Sequence, residues 1–361
     1  MRIITGTAEV SEKQYTLNFV RESDVSLQWT LAAQYHLFTT ASRNSEDQNP
    51  TLMVSTISEP AVMLGRFQHP QSTLKENVWD EYPVLRRLSG GPAIFMDTGS
   101  VFMSLIIPNY QHHLKPQSIR NLPKNLNDIM LSALRAEGLS LSLAASDVLT
   151  KRGYEIGGLG FEINNNVAVW ECWLGVNSAV ALPQSLSNYP PLSDDAFNRN
   201  SEAISKIVDD ETLPEWGFSF VEMIPIKFKS EEVTAAEFQW RWLDRERING
   251  LLDRVTVPRE PELKGFTLSR LIEDYIGFVQ AACIINDAGI IQEVRIFGDF
   301  LADTDGIRLL EEKLRWSPLK KRPIALIIDD ILGSQGHVIL GLKRLGSILE
   351  AIMDAASRET T

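Results

Sequence analysis

Apolar runs of strand length, separated by turn residues, are the feature of this sequence that most constrains its fold. The two longest, around Ile106 and Ile284, fall short of the roughly 18 consecutive apolar residues that a membrane-spanning helix needs. The N-terminal residues lack the continuous apolar region of a signal peptide, so a soluble protein is expected. Strands are predicted at residues 15–20, 51–55, 61–65, 84–88, 93–96, 101–108, 154–156, 167–176, 278–285 and 290–297.

Helices are predicted where apolar residues recur about every 3.6 positions. In the first helix Ser23 and Asp24 can cap the N-terminus, and Leu27, Leu31 and Tyr35 follow on one face. Because helices and hairpin-type strand pairs are mixed rather than strictly alternating, an α+β fold is favoured over a doubly wound one. The other helices are expected at residues 74–82, 116–138, 231–253, 305–314, 324–332 and 337–355.

The length of 361 residues predicts about two domains, at a rough 150 residues for each. The best boundary is residues 257–265, which contain two prolines and four charged residues. The predicted domains are therefore residues 1–256, in which 185–256 form a loosely patterned connecting region, and residues 265–361.

Charge and cysteine content exclude several functional classes. A formal net charge of −12 argues against a nucleic-acid-binding protein, which needs a basic face to contact phosphates. The two cysteines, Cys172 and Cys283, form neither a CxxC pair nor a zinc ligand set. A cytoplasmic protein without a membrane segment or a metal site is expected, because this cysteine content does not fit a secreted disulfide scaffold.

One segment, residues 86–99, concentrates the chemistry of the chain. Arg86 and Arg87 end a strand, a Ser-Gly-Gly turn follows, and a second strand begins. Glycines let a phosphate approach the main chain closely, and a guanidinium can pair with phosphate or carboxylate through two hydrogen bonds. A β-hairpin with a glycine turn and solvated arginines fits the same residues. The nucleotide-binding, metalloprotease and hydrolase motifs GxxxxGK[ST], GxGxxG, HExxH and GxSxG are missing.

This segment resembles the RRxSGGGxVxHDxGN signature of lipoate–protein ligase A and its relatives in the biotin/lipoate ligase superfamily. Upstream, Gly65-Arg66-Phe67-Gln68 is similar to the GRxQN element of that family. Residues 287–290 and 298–300, followed by LLEEKL, resemble the DGxI…GDFF…LExxL pattern of the ligase accessory domain. The resemblance implies an α+β ligase-like catalytic domain in residues 1–256 and a smaller α+β accessory domain in residues 265–361.

The resemblance also implies an activity in protein lipoylation. Members of the family use ATP, with Mg²⁺ expected at the phosphates, to convert lipoate or a related acyl acid to an acyl-adenylate. They then transfer the acyl group to a lysine of a 2-oxoacid dehydrogenase acyltransferase or a glycine cleavage H protein. By resemblance Arg87 would contact the nucleotide. The residues assigned to nucleotide or acyl binding are Arg66, Arg87, Ser89, Gly90, Gly91, Pro92, Ala93, Ile94, Phe95, Asp97, Gly157 and Gly158.

The sequence departs from the family pattern at a position that matters chemically. Glu155 stands where the family has the lysine of a GKKIxG-type motif, which binds the acyl carboxylate and the adenylate phosphate. Exchanging that cation for a carboxylate turns an attraction of roughly 4 kcal/mol, at 4 Å and an effective dielectric constant near 20, into repulsion. If residues 151–155 form one extended strand, Lys151 lies on the same face as Glu155 and can substitute for the missing cation. Arg152 is a second candidate, and ordinary surface charges are the alternative.

Two functional hypotheses follow. One is an ATP-dependent, acyl-adenylate-forming ligase with a rearranged cation. The other is a catalytically degenerate ligase homologue that binds a ligand or a partner. Two smaller departures, Pro92 for the third glycine and Met96 for the histidine of the HD pair, favour the second. Arg87, the SGG turn, the GRxQ element and the C-terminal accessory pattern are retained and favour the first, so the ligase is the preferred hypothesis. A thiol-dependent acyltransferase is disfavoured because neither cysteine falls at the matching position.

Overall fold

The computed structural model describes residues 15–43, 48–114, 118–136, 141–145, 147–164, 166–197, 200–207, 233–237, 240–259 and 263–358. Within these ranges no helix combines the length and the apolar character needed to cross a membrane. The strands are β1 (Tyr15–Val25), β2 (Thr51–Ile57), β3 (Ala61–Leu64), β4 (Val84–Arg86), β5 (Ile94–Met96), β6 (Val101–Pro108), β7 (Ser142–Ala144), β8 (Val148–Lys151), β9 (Tyr154–Asn164), β10 (Val167–Leu174), β11 (Val233–Glu237), β12 (Thr267–Leu268), β13 (Ile272–Glu273), β14 (Phe278–Ile285), β15 (Ile291–Gly298), β16 (Leu301–Ala302) and β17 (Ile339–Leu340). The α-helices are α1 (Leu27–Arg43), α2 (Pro70–Thr73), α3 (Val78–Glu81), α4 (Tyr110–Leu114), α5 (Leu122–Ala136), α6 (Ile204–Ile207), α7 (Trp242–Asn249), α8 (Leu252–Val255), α9 (Thr304–Leu314), α10 (Lys321–Leu332) and α11 (Gly346–Arg358).

A mixed sheet of eight strands, in the order β11-β1-β2-β6-β10-β9-β8-β7, forms the centre of the molecule. Strands β6 and β10 are buried along their whole length because both faces of the sheet are covered. Helix α5 packs against one face through Leu126, Met130 and Leu134. Helix α1 and a second, three-stranded sheet, β4-β3-β5, cover the other face. The α+β class predicted from the sequence is confirmed.

The C-terminal unit, which we define as residues 263–358, has a sheet of its own. Strand β14 lies at its centre, paired with β12, β13 and β15, and helices α9, α10 and α11 bury apolar side chains against it. The predicted division of the chain at residues 257–265 stays a prediction, since Leu301 and Ile276 also pack into the core of the eight-stranded sheet.

Several predicted elements are wrong in extent. Helix α1 begins after Ser26, whose hydroxyl accepts a hydrogen bond from the Trp29 amide, while Asp24 lies in β1. Residues 231–253 do not form one helix, because β11 and the two short helices α7 and α8 occupy the described part of that range. In residues 337–355, β17 and a turn at Gly341 precede the last helix. Two predicted boundary residues, Pro116 and Gly138, and the turn residue Asn165 lie outside the described residues.

The C-terminal unit contacts the preceding residues of the chain, here called the N-terminal part, at an aromatic pair. The rings of Phe67 and Phe300 are stacked with centroids 5.2 Å apart, and Phe300 is only 1% exposed. On either side of this pair the Gly298 amide donates to the Phe67 carbonyl and the Gly91 amide donates to the Phe300 carbonyl, each at 2.9 Å. The contact is therefore both apolar and hydrogen-bonded, as in a domain interior.

We expect Phe300→Ala to lower the free energy of unfolding by about 3–5 kcal/mol, because it removes a fully buried ring and leaves a cavity. Denaturant unfolding followed by tryptophan fluorescence measures the change. The matched control is Leu326→Ala in α10, whose side chain is 61% exposed and whose loss should change stability by about 0.5 kcal/mol or less. Equal effects of the two substitutions on the free energy of unfolding would contradict the assignment of Phe300 to a buried contact between the N-terminal part and the C-terminal unit.

Candidate functional site

Two turns meet at one end of the three-stranded sheet. The first, residues 65–69, follows β3, and the second, the SGG turn of Ser89, Gly90 and Gly91, follows β4. A Cβ atom on Gly65 would lie 2.0 Å from the Gly91 carbonyl oxygen, so only glycine permits this approach. The sequence elements on which the family resemblance rests are therefore in direct contact.

Arg87 lies beneath the SGG turn and is buried. Its Nη2 donates to the carbonyl oxygens of Gly90 at 2.7 Å and Pro92 at 2.9 Å. Its guanidinium carbon lies 4.6 Å from the centre of the Trp173 ring, a cation–π contact. These contacts give Arg87 the role of holding the turn, and a direct contact with a nucleotide stays a prediction.

Two of the three backbone amides of the SGG turn, those of Ser89 and Gly91, are already hydrogen-bonded within the protein. Glu171, on β10, accepts from the amides of Leu88 at 3.2 Å and Ser89 at 3.3 Å, and also from the Ser89 hydroxyl. The Gly91 amide donates to the Phe300 carbonyl, and Pro92 has no N–H to offer. A phosphate can reach these amides only by displacing a carboxylate and the C-terminal unit.

Beside the turn is a cavity of about 340 Å³, here called the Glu155 cavity. Glu155 and Asp299, each 2% exposed, contribute carboxylates to its wall. The described lining residues include no lysine and no arginine. Asp299 is held by Gln68 Nε2 at 2.5 Å and by the Phe278 amide at 2.8 Å. The apolar and aromatic part of the wall includes Pro92, Ala93, Ile94, Ile276, Phe278 and Tyr189.

The proposed substitute cation does not have the predicted geometry. Arg152 and Gly153 adopt positive φ angles of 52° and 85° and form a tight turn between β8 and β9. Lys151 pairs with Tyr154 across this hairpin, and Glu155 pairs with Thr150. The expectation that residues 151–155 form one extended strand with Lys151 and Glu155 on one face is therefore wrong.

The remaining predicted site residues differ in their surroundings. Pro92, Ala93 and Ile94 line the Glu155 cavity. In contrast, a Cβ atom on Gly158 would lie 2.6 Å from the Trp173 ring, and on Gly157 2.2 Å from the Trp173 carbonyl oxygen, so both glycines serve packing. Two others are not among the lining residues of the Glu155 cavity: Phe95, whose ring meets that of Tyr82 edge to face, and Asp97, which accepts a hydrogen bond from the Thr98 amide.

Arg66 lies on the opposite side of the first turn from the Glu155 cavity, next to a second buried carboxylate, Glu162 on β9. The Arg66 Nε lies 3.7 Å from Glu162, and both the amide and the hydroxyl of Thr304 in α9 donate to the same carboxyl group. Burial raises the pKa of Glu162 from its ordinary value of 4.5 to about 8. At neutral pH this carboxyl is therefore mainly protonated.

Sequence reasoning missed Glu162, Glu171 and Asp299 as site residues. The first two interrupt apolar strands, in Phe161-Glu162-Ile163 and Trp170-Glu171-Cys172. A charged residue on a strand that is otherwise apolar on both faces is the signal that could have found them, because such a charge needs a buried partner. Asp299 lies in the stretch that resembles the GDFF pattern, but its contact with Gln68 comes from a distant part of the chain and has no signal in the sequence.

Metal and thiol chemistry find no support in the described part of the chain. There, no group of three or more His, Cys, Asp or Glu side chains is arranged to hold a metal ion. Cys172 and Cys283 are both buried, and burial raises the pKa of the Cys172 thiol well above its ordinary value.

The raised pKa of Glu162 predicts a pH dependence of stability. Between pH 4.5 and about 8 the unfolded chain ionises this group while the folded chain keeps its proton, so stability falls as pH rises. The loss should reach several kcal/mol, at about 1.4 kcal/mol for each pKa unit. We expect Glu162→Gln, which cannot ionise, to become progressively more stable than the wild type between pH 5 and pH 8.

Urea unfolding at a series of pH values measures this difference. Glu293→Gln, on β15, is the matched control because its side chain is 42% exposed. A difference between Glu162→Gln and the wild type that stays constant over this pH range would refute the assignment.

Residues 26–204 match the family model of the lipoyl protein ligase A/B catalytic domain. Among solved structures, P. falciparum LipL1 in complex with lipoate matches at 15% identity with a TM-score of 0.59, over 94% of this chain and 99% of that one. No curated protein matches significantly.

Two structures from Thermoplasma acidophilum match at 15% identity with a TM-score of 0.50. One is a bi-partite lipoate protein ligase with its E2 lipoyl domain, matched over 67% of this chain and 93% of that one. The other is protein Ta0514 with bound lipoic acid, matched over 67% and 95%. At this identity the structures show a common fold, and the match to LipL1 extends that fold into the C-terminal unit.

Proposed function

Because this chain is a divergent member of the lipoate–protein ligase family, we propose that it is a binding module for a lipoyl-acceptor domain and does not form an acyl-adenylate. The observation that carries this proposal is the Glu155 cavity, whose wall holds two carboxylates and, among the described residues, no cation. An acceptor domain as partner is supported by the related fold of the ligase structure that includes an E2 lipoyl domain.

The charge of the cavity favours a lysine side chain over an acyl adenylate. At about 4 Å and an effective dielectric constant near 20, an ammonium and a carboxylate attract by roughly 4 kcal/mol, and a phosphate would be repelled to a similar extent. The aliphatic part of a lysine side chain packs well on apolar surface such as that of Ile94 and Phe278. The cavity is thus suited to the acceptor lysine, which is the group that members of this family modify.

An ATP-dependent ligase is the competing function. It is supported by the contact between the first turn and the SGG turn and by the C-terminal unit, which resembles an accessory domain. However, the phosphates of ATP, with or without Mg²⁺, do not fit the SGG turn as it is folded. The amides of Ser89 and Gly91 have internal acceptors, and the nearest carboxylate is Glu171. We therefore derive no adenylation step.

We expect an unmodified acceptor domain to bind the full-length protein, and Glu155→Gln to weaken binding by about tenfold or more. The reason is that the substitution removes one of the two acidic residues that line the cavity while keeping the size of the side chain. Isothermal titration calorimetry measures both affinities, and Glu293→Gln is the control. An acceptor domain in which the lysine is replaced by glutamine should bind as weakly as the wild-type domain binds Glu155→Gln. If both of these changes left the affinity untouched, the proposal would fail.

A separate measurement addresses the competing function. Purified protein with lipoate, Mg²⁺ and labelled ATP is expected to release no AMP above background, because the amides of Ser89 and Gly91 are held by internal acceptors and Pro92 has no N–H. Glu155→Lys, which restores the family cation, is the informative companion variant. Lipoate-dependent AMP release by the wild-type protein would contradict the proposed function and support the ligase.

A further inference from the structure

A second cavity, of about 500 Å³, lies between the first turn and the C-terminal unit. Four arginines line it, and we call it the arginine cleft: Arg66, Arg86 and Arg254 come from the N-terminal part and Arg308 from α9. Among the residues that the structure describes, Glu311 is the only acidic one that lines it. This local excess of positive charge is unexpected in a chain whose formal net charge is −12.

The charges of these arginines are only partly neutralised. The nearest acidic partner of Arg66 is Glu162, which is mainly protonated at neutral pH. Arg254 forms no ion pair with any residue that the structure describes, and Arg308 pairs with Asp305 and Glu312 on its own helix. Glu311 is itself held by the Ile296 amide at 2.9 Å and by Arg295 at 3.2 Å. The cleft therefore keeps a net positive charge.

Arg86 is held rigidly at the back of the cleft. Its Nη1 donates to the carbonyl oxygens of Gly65, Arg66 and Gln68, each at 2.9 Å. These bonds fix the guanidinium in a wall that belongs to the first turn. A ligand would meet a positioned cation there, at a smaller entropic cost than on a mobile side chain.

An independent observation at the same place is a buried histidine. His69 lines the cleft and is 7% exposed, and its Nε2 has no hydrogen-bond partner among the described residues. Its Nδ1 lies 2.9 Å from the Ser72 hydroxyl, and its ring lies 5.2 Å from that of Phe297, which also lines the cleft. A buried polar nitrogen without a partner is costly, so this histidine marks the wall of the cleft as polar and strained beside the arginines.

We propose that the arginine cleft binds a small organic phosphate, whose phosphate group contacts the arginines and whose apolar or aromatic moiety packs against Phe297. Arginine pairs with phosphate oxygens through two parallel hydrogen bonds, and a phosphate offers enough oxygens and charge to engage more than one arginine. The mixed lining fits such a ligand better than a bare ion, since Phe67, Leu263 and Ile307 share the wall with the charges. The site is distinct from the Glu155 cavity and lies outside the binding module proposed above.

Because of where the cleft lies, ligand binding there should also affect the stability of the folded protein. Arg254 belongs to α8 and Arg308 to α9, so a ligand in the cleft can contact both the N-terminal part and the C-terminal unit. Binding should then stabilise the folded protein against heat by mass action.

Phenyl phosphate is the probe, with inorganic phosphate and phenol as partial ligands, titrated into the full-length protein by calorimetry at low salt. We expect phenyl phosphate to bind more tightly than inorganic phosphate, and phenol not to bind. Arg254→Gln and Arg308→Gln should each weaken phenyl phosphate binding by about tenfold, as expected for loss of a charge-assisted contact. Raising the ionic strength should weaken binding further.

Arg322→Gln is the matched control, since Arg322 is an exposed arginine of α10 that does not line the cleft. Both cleft substitutions change exposed side chains, so folding should be preserved, and circular dichroism checks it. Absence of phenyl phosphate binding, or equal affinities of Arg254→Gln, Arg308→Gln and Arg322→Gln, would overturn the site. Equal affinities for phenyl phosphate and inorganic phosphate would overturn the proposal that the site recognises the organic moiety.

Discussion

The burial of Arg87 is the constraint on which the rest of the site depends. Its side chain has no exposed surface, so its charge must be balanced inside the protein, and Glu171 provides the balance at 4.0 Å. Glu171 is in turn held by Gln34 Nε2 at 2.7 Å and accepts the Ser89 amide and hydroxyl. The same carboxylate therefore balances the charge of Arg87 and fixes the conformation of the turn. Removing either Arg87 or Glu171 would leave the other charge buried and uncompensated.

This requirement changes what the SGG turn can do. A Ser-Gly-Gly turn can cradle a phosphate with its amides, but here Glu171 lies on one side and the Phe300 carbonyl on the other. The turn thus serves as a packed joint between the N-terminal part and the C-terminal unit. The cavities that a ligand can enter lie beside the turn and differ in charge. The Glu155 cavity is acidic and the arginine cleft is basic. Both lie between the two parts of the chain, so their shapes depend on how those parts pack.

The success of sequence reasoning differed between elements for identifiable reasons. Strands β6 and β14 were predicted to the residue, because their apolar runs are continuous and end at turn residues. Residues 231–253 were predicted as one helix because their charges alternate, yet β11 pairs in parallel with β1 at the sheet edge, a long-range contact that overrides local pattern. Lys151 was misplaced because the Arg152-Gly153 turn reverses the chain, and the period-two rule holds only within one strand.

The sequence alone determined the α+β class, the family resemblance and the carboxylate at position 155, because these depend on residue types and their spacing. Only the tertiary structure decided what surrounds that carboxylate. Asp299 is far from Glu155 in the chain, and Arg308 is farther still from Arg66, so neither the acidic cavity nor the arginine cleft has a local signature. The charge of a site is the sum over side chains brought together by packing, and packing between distant segments is not encoded in any single stretch of residues.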